Sequence, residues 1–377
     1  MEHKPTDIQM VDLHNQYLKI KDEVDEAIGK TITSSRFIGG VQVSSFSENL
    51  CNYLGAKNIV TCGNGTDALQ IALMALDLEQ GDEVIVPAFT YVATAEVIAL
   101  LGFIPKMVDV DPFTFNINLD QAELVISTKT KVVIPVHLYG QSSNMDAIMS
   151  FASNHNLFVI EDNAQAIGAT YEHKGQLKKT GTIGHIGTFS FFPSKNLGCY
   201  GDGGAISTDN EELAQKIKMI ANHGQSKKYY HDIIGVNSRL DSLQAAILNI
   251  KLKYLDGYIV SRNSAATFYD ENLKDVDWIK TPTRAKKCNH VFHQYTIQVN
   301  VDRDKLKNYL NDRGVKSMVY YPLPLYKQKA YSTFVSSHLK LEQTEKLCKC
   351  VLSLPMHTEL KKDTLEYIIE SLKSFNN

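Results

Sequence analysis

The 377-residue sequence is poor in several things at once, with one tryptophan, 10 prolines and 6 cysteines. None of the cysteines forms a C-x-x-C pair, which argues against a disulfide framework or a zinc knuckle and for reduced thiols in a cytosolic chain. Cys348 and Cys350 are the only close pair, and no second pair or nearby histidine completes four ligands, so no metal site is expected. An excess of one charge is also missing. The 39 basic and 42 acidic residues leave −3, which gives no footprint for nucleic acid or an anionic membrane surface. No apolar run approaches the roughly 18 residues that cross a bilayer, and the opening MEHKPTDIQM lacks a signal-peptide core. No internal repeat or low-complexity segment appears. What these absences leave is a cytoplasmic globular protein, long enough for two domains.

What is present is an alternation. Short Val/Ile-rich runs (NIVTC, EVIVP, KMVDV, KVVIPV, LFVIED) are separated by helical patterns such as TDALQIALMAL, ATAEVIALL and NMDAIMSFASNHN. Such runs indicate mainly parallel strands buried on both faces of a doubly wound α/β domain. From about Ile250 the alternation stops. LKYLDGYIVSRNSAATFYDENL reads as a long helix and HVFHQYTIQV as a strand outside the first sheet. The expected division is a large domain over 1–249, with an N-terminal helical segment, and a smaller α+β domain over 250–377.

In an open α/β sheet, ligands sit beyond the carboxyl ends of the strands. Those ends carry GNGTD (63–67), AFTY (88–91), HLYGQ (137–141), EDNAQA (161–166) and SFFPSK (190–195). Gly63, Gly65 and Ala68 match the G-x-G-x-x-A turn of a dinucleotide site, whose N–H groups at a helix start bind phosphate. A dinucleotide site also needs an acidic residue about 20 positions on, at the end of the next strand. Asp82 and Glu83 stand at the start of EVIVP instead, the wrong end. A single phosphate monoester at Gly65, Thr66 and Asp67 remains, beside the plainer reading of a helix cap by Thr66 or Asn64.

Asp162 closes an apolar strand, where a carboxylate is costly to bury without a partner. It either caps the following turn or serves a ligand. For a phosphorylated heteroaromatic aldehyde it would hold a pyridine nitrogen protonated and make the ring an electron sink. Lys195, between an aromatic run and a glycine-rich turn, would then offer its amine to the aldehyde. Desolvation favours the neutral, nucleophilic form of such a lysine.

With these residues the chain resembles the DegT/DnrJ/EryC1/StrS family of pyridoxal phosphate-dependent sugar aminotransferases, of fold type I. The likeness runs from FIGGVQVSSFSENL to LSLPMHTEL and is carried by GNGTDALQIALMAL, VHLYGQSSNMDAI, VIEDNAQAIGATY, FFPSKNLGCYGDGGAISTD and GVNSRLDSLQAAIL. The resemblance implies pyridoxal 5'-phosphate on Lys195 as the Schiff-base lysine, with Asp162 at the ring nitrogen and Gln165 at the ring hydroxyl. It also implies Tyr91 stacked on the ring, and Ser190 with the Gly65 and Thr66 N–H groups on the phosphate. Asn237 would reach the phosphate of a neighbouring subunit, making a homodimer with shared sites; its plainer role is a helix cap ahead of SLQAAIL. His293, Tyr320 and Tyr321 are candidates for the sugar-nucleotide pocket. Arg239 is a candidate for the donor's carboxylates, or else a helix-surface arginine. Tyr326 stands where relatives often have histidine.

The implied reaction is transamination of a nucleotide-linked keto-sugar with L-glutamate as donor, in deoxysugar biosynthesis for a lipopolysaccharide or other surface glycan. The expected substrate is a dTDP-linked 3-keto-6-deoxyhexose, converted to the 3-amino-3,6-dideoxy sugar. A 4-keto sugar nucleotide is the main alternative and a 3-keto uronic acid a lesser one, which would want a cationic partner that YYPLPLY does not offer, though Lys327 lies just beyond it. A nicotinamide-dependent dehydrogenase would leave Lys195 unemployed, while a non-catalytic regulator of the same fold would explain the sequence and do no turnover. The sugar 3-dehydratases of the family carry histidine in place of the lysine, and here the lysine is present.

Overall fold

The computed structural model describes residues 7–336 and 338–376. The apolar runs form a seven-stranded sheet. In spatial order its strands are Asn58–Cys62, Gly204–Thr208, Ile186–Ser190, Phe158–Asp162, Thr130–Val133, Glu83–Pro87 and Ile104–Val108. All pairings are parallel except those of Gly204–Thr208, which runs against both neighbours. Successive strand residues enter opposite cores, as the pleat requires. Val84, Val86, Val132 and Ile160 join one apolar cluster, while Ile85, Val133 and Val159 join another on the far face. The sheet is therefore covered on both sides, as the uninterrupted apolar runs foretell.

The expected helices form where the 3.6-residue pattern places them, and side chains cap them. Asn64, Asn144 and Asn210 accept first-turn N–H groups at the starts of Gly65–Met74, Met145–His155 and Glu211–Ala221. Asn156 ends the second of these in a left-handed conformation (φ 53°).

A second core lies beyond the large sheet. Ile279–Lys280, Tyr295–Val299 and Val351–Leu354 make a three-stranded antiparallel sheet, packed by Arg303–Asp312 and Lys362–Lys373. Ile8 joins this core and bridges to Val315. The helix Ser242–Leu273 has 32 residues and belongs to both cores. Ala245, Leu248 and Leu255 pack in the large part, and Ala266, Tyr269 and Leu273 in the small one. The border expected at 249/250 thus falls inside one continuous helix.

HVFHQYTIQV differs from expectation. Only Tyr295–Val299 is strand. Phe292 turns into the left-handed region (φ 43°), and the Val291 and Gln294 N–H groups bond to Gly140 and Tyr139 instead of a neighbouring strand. That kink carries His293 toward the large sheet. All six cysteines are free, and no cluster of three or more metal-ligating side chains occurs among the described residues. No helix among them is long and apolar enough to cross a membrane.

Candidate active site

A cavity of about 880 Å³ opens at the carboxyl ends of the central strands. Gly65, Thr66, Tyr91, Asp162, Gln165, Ser190, Lys195, His293, Tyr320 and Tyr321 all line it. They come from several strand ends and from the 320–321 segment, separated in sequence by up to 256 positions.

The phosphate end is built from a helix start. Asn64 caps Gly65–Met74 by accepting the Asp67 N–H at 2.8 Å, which settles the capping alternative in favour of Asn64. The Gly65 and Thr66 N–H groups donate to no described residue and stand at the positive end of the helix. Gly65 is required by close approach: a Cβ there would stand 2.6 Å from Ser190 Cβ. That approach brings the Ser190 hydroxyl, at the end of its own strand, beside the same N–H groups.

The carboxylate end follows from strand alternation. Glu161 and Asp162 are neighbours on one strand and face opposite sides. Glu161 is fully buried and spent on structure, accepting the N–H groups of Gly181, Ile183 and Gly184. His137 Nδ1 accepts the Ser143 N–H, so its Nε2 carries the hydrogen and donates to Glu161 at 2.9 Å. Burial pushes Glu161 upward, and these donors outweigh it and hold its carboxyl below the usual range.

Asp162 is 5% exposed and has only neutral partners, the Thr94 hydroxyl at 2.8 Å and the Ala164 N–H at 3.2 Å. Burial raises its pKa against the pull of those donors and of Lys195. A buried carboxylate without an ion pair is costly, and a cationic ring nitrogen would relieve that cost.

Lys195 follows the strand Ile186–Ser190, and its N–H donates to Phe192 at 2.8 Å. The residue is only partly buried because it faces the cavity, yet burial pushes its amine down to about 8, with Asp162 opposing. It makes no ion pair among the described residues. Helix-start donors, a lone carboxylate and an amine of lowered pKa are the parts that pyridoxal phosphate requires, and the residues present fit it.

Gln165 is held from both sides, its Oε1 accepting the Tyr139 N–H at 2.8 Å and its Nε2 donating to Tyr321 Oη at 3.2 Å. Tyr91 is 57% exposed at the mouth, its ring 6.4 Å from that of Tyr321. His293 is buried with Nδ1 unpartnered among the described residues. Burial, with Lys195 and Arg262 nearby, holds it well below the usual histidine range, so it is neutral.

Asn237 and Arg239 do not line this cavity. Between them, Ser238 turns inward, accepting the Gly63 N–H at 2.8 Å and donating to Asp67 at 2.6 Å. Its two neighbours consequently face outward and are exposed. The helix that follows starts at Ser242, with Asp241 in the N-cap position and no side-chain cap bond, so Asn237 is not its cap and Arg239 is not on its surface. Tyr326 also points away from the cavity, and its hydroxyl bonds to Glu345.

Several supporting residues escaped the sequence. Thr94 meets Asp162 across 68 positions and Tyr139 meets Gln165 across 26, distances at which no periodicity operates. Tyr139 did lie in HLYGQ, so the strand-end rule was its available signal. Asp202, which joins Asp67 and Asp162 on the wall, carried none.

Known proteins resemble this chain over nearly its whole length. A model of the DegT/DnrJ/EryC1/StrS aminotransferase family covers residues 18–373. A protein of Geobacillus stearothermophilus named pleiotropic regulatory protein is 45% identical, over 98% of both chains. The UDP-2-acetamido-2-deoxy-3-oxo-D-glucuronate aminotransferase of Pseudomonas aeruginosa is also 45% identical, over 97% of this chain and 99% of the relative. The dTDP-3-amino-3,6-dideoxy-alpha-D-galactopyranose transaminase of Aneurinibacillus thermoaerophilus is 38% identical, over 98% and 99%. Among solved structures, S. venezuelae DesV with a ketimine intermediate superposes with a TM-score of 0.93 at 35% identity, covering 97% of this chain and 98% of that one.

Proposed function

The chain belongs to the DegT/DnrJ/EryC1/StrS aminotransferase family, and from that premise we propose that it transfers the amino group of L-glutamate to C3 of a dTDP-linked 3-keto-6-deoxyhexose. That it is a pyridoxal phosphate-dependent aminotransferase of nucleotide sugars follows from the family and its relatives. The C3 position and the uncharged 6-deoxy sugar are the proposal.

The observation that carries the sugar choice is the charge of the cavity wall. Among the described residues Lys195 is its only lysine or arginine, against Asp67, Asp162 and Asp202. His293 is neutral and cannot serve as a cation. A uronate would bring its carboxylate toward those acids with no second cation among the described residues of this wall to meet it, and an uncharged sugar avoids the cost. The Aneurinibacillus relative, named for a dTDP-3-amino-3,6-dideoxy sugar, supports C3 and dTDP. The Pseudomonas relative, named for a UDP-linked 3-oxo-glucuronate, supports C3 and makes a UDP-linked uronate the second reading of the substrate.

When bound, pyridoxal phosphate supplies an aldehyde for the amine and a ring that takes up an electron pair. The residues of this chain do the rest. The Lys195 amine would hold the cofactor and would serve as the acid–base group that carries a proton to and from the reacting carbon. Asp162 keeps the ring nitrogen protonated, with Thr94 and the Ala164 N–H fixing its direction. Gly65, Thr66 and Ser190 would hold the phosphate and Gln165 the ring hydroxyl, with Tyr91 against the ring. His293 and Tyr320 face the sugar. The exposed Asn237 reaches the phosphate of a second copy, so the working unit is a homodimer in the cytoplasm, with Arg239 beside the donor's carboxylates.

The test incubates purified protein with pyridoxal phosphate, glutamate and a panel of dTDP- and UDP-linked 3-keto and 4-keto sugars. Mass and NMR identify the product. A dTDP-3-amino-3,6-dideoxy sugar is expected. Amination of the 4-keto compound alone would refute the C3 assignment, and a preference for the UDP sugars would refute the nucleotide.

A further inference from the structure

We propose that the Tyr321 hydroxyl, paired with Gln165, donates a hydrogen bond to the ring oxygen of bound pyridoxal phosphate and so sets how readily the lysine-linked cofactor loses its proton. The inference rests on the cofactor placement proposed above.

It begins with an amide that can sit only one way round. The backbone N–H of Tyr139 points at Gln165 at 2.8 Å. A backbone N–H can only donate, so the amide atom facing it must be the oxygen. The nitrogen of the amide therefore faces Tyr321, at 3.2 Å. An amide nitrogen offers hydrogens and no lone pair, so Tyr321 Oη is the acceptor of that bond. Its own hydrogen is left to be donated elsewhere, and no described residue takes it. A hydroxyl on the wall of a cavity with an unspent hydrogen points to an acceptor on the ligand.

Which ligand oxygen it meets follows from the neighbours. Gln165 lies three residues after Asp162 on the same turn, and its second amide hydrogen is also uncommitted. Two donors 3.2 Å apart can share one oxygen, and an oxygen that accepts both is best served by negative charge. The cofactor's ring oxygen is such an atom, and Gln165 is already its proposed contact.

The phenol has little freedom to turn away. Its ring meets Phe89 edge-on at 6.0 Å and Tyr91 at 6.4 Å. The segment carrying it is tied to the large sheet by Tyr139, whose hydroxyl donates to the Tyr320 carbonyl, and by the Leu325 N–H on Ala88 at 3.1 Å. The titratable groups facing it are Asp162, Tyr91, Tyr139 and Tyr320, with Lys195 and His293 elsewhere on the cavity wall. Burial raises the Tyr321 phenol above its ordinary value, so it keeps its hydrogen throughout the working range.

A donor on the ring oxygen stabilises its anionic form and makes it a weaker partner for the proton on the lysine-linked nitrogen. Removing the donor strengthens that internal bond. Tyr321→Phe should therefore raise, by about one pH unit or tenfold in proton affinity, the pH at which the visible chromophore of the holoenzyme deprotonates. Gln165→Leu should move it the same way, and Tyr320→Phe should leave it in place. The measurement is a visible-absorption titration of each holoenzyme, with the KM for the sugar nucleotide recorded alongside. An unmoved midpoint in a folded, cofactor-loaded Tyr321→Phe enzyme overturns the proposal. A change in sugar KM alone would give the donor to the sugar and overturn it too. Should Tyr321→Phe fail to fold, the Gln165→Leu titration decides, and an unmoved midpoint there has the same force. A wild-type protein with no lysine-linked chromophore would instead refute the cofactor placement on which the inference stands.

Discussion

Replacing Gly65 by alanine tests the phosphate site through a distance the fold cannot adjust cheaply. The added Cβ would stand 2.6 Å from Ser190 Cβ and 3.2 Å from Ser190 Cα. Non-bonded carbons rest at about 3.5–4.0 Å, so roughly 1 Å must open between the helix start and the strand end. Both opposing atoms are fixed by the backbone, and no rotamer change moves them aside. Overpacking of this size costs about 1–3 kcal/mol. If that strain is relieved by parting the N–H groups from the Ser190 hydroxyl, the cost falls on the cofactor. The expected loss in pyridoxal phosphate affinity is then roughly 5- to 150-fold. The assay titrates apoprotein with the cofactor by visible absorbance, with Gly257→Ala as control. Gly257 lies on the long helix with nothing within 4 Å of an added Cβ, so alanine there should add about 0.5–1 kcal/mol of stability and leave the affinity alone. Wild-type affinity in Gly65→Ala would refute the reasoning.

Three further outcomes follow from the same site. Asp162→Asn keeps the shape of the side chain and removes its charge, so turnover should fall far more than cofactor content, as read by kcat and by absorbance; near wild-type turnover would place the ring-nitrogen partner elsewhere. The Lys195 amine, lowered to about 8 by burial, is protonated below that pH and nucleophilic above it. Capture of cofactor by apoprotein should thus accelerate with pH through about 8 and level off above, and a rate still climbing steeply at pH 10 would contradict the shift. Mixing Lys195→Ala and Asn237→Ala chains, each inactive alone, should restore activity in hybrid dimers because one of their two sites is whole, and a fully active monomer in sedimentation would end the shared-site proposal.

What the sequence reveals here divides along the range of the interactions concerned. The strands and their order of use are legible because burial on both faces leaves an uninterrupted apolar run, as in EVIVP. The strand ends then name Gly65, Asp162, Ser190 and Lys195, since ligands of such sheets sit there. The break in HVFHQYTIQV was not legible. Its residues favour a strand, and only contacts with Tyr139 and Gly140, more than 140 residues earlier, bend it and deliver His293. The outward aim of Asn237 depends likewise on Ser238 finding Gly63 and Asp67 across the fold. The domain border was blurred for a local reason: SLQAAILNI and LKYLDGYIV have no helix breaker between them, so two expected helices fuse into one.

The central claim is that geometry, not amine reactivity alone, makes Lys195 the residue that holds the cofactor. The chain contains its own control. Lys251, fully buried on the long helix and outside the cavity, has its amine lowered to about 8 as well. Borohydride reduction of the holoenzyme, followed by proteolysis and peptide mapping by mass, reads out which lysine is modified. The account predicts the reduced cofactor on the peptide containing Lys195 and none on Lys251. A label on Lys251, or on any lysine outside the cavity, would contradict it.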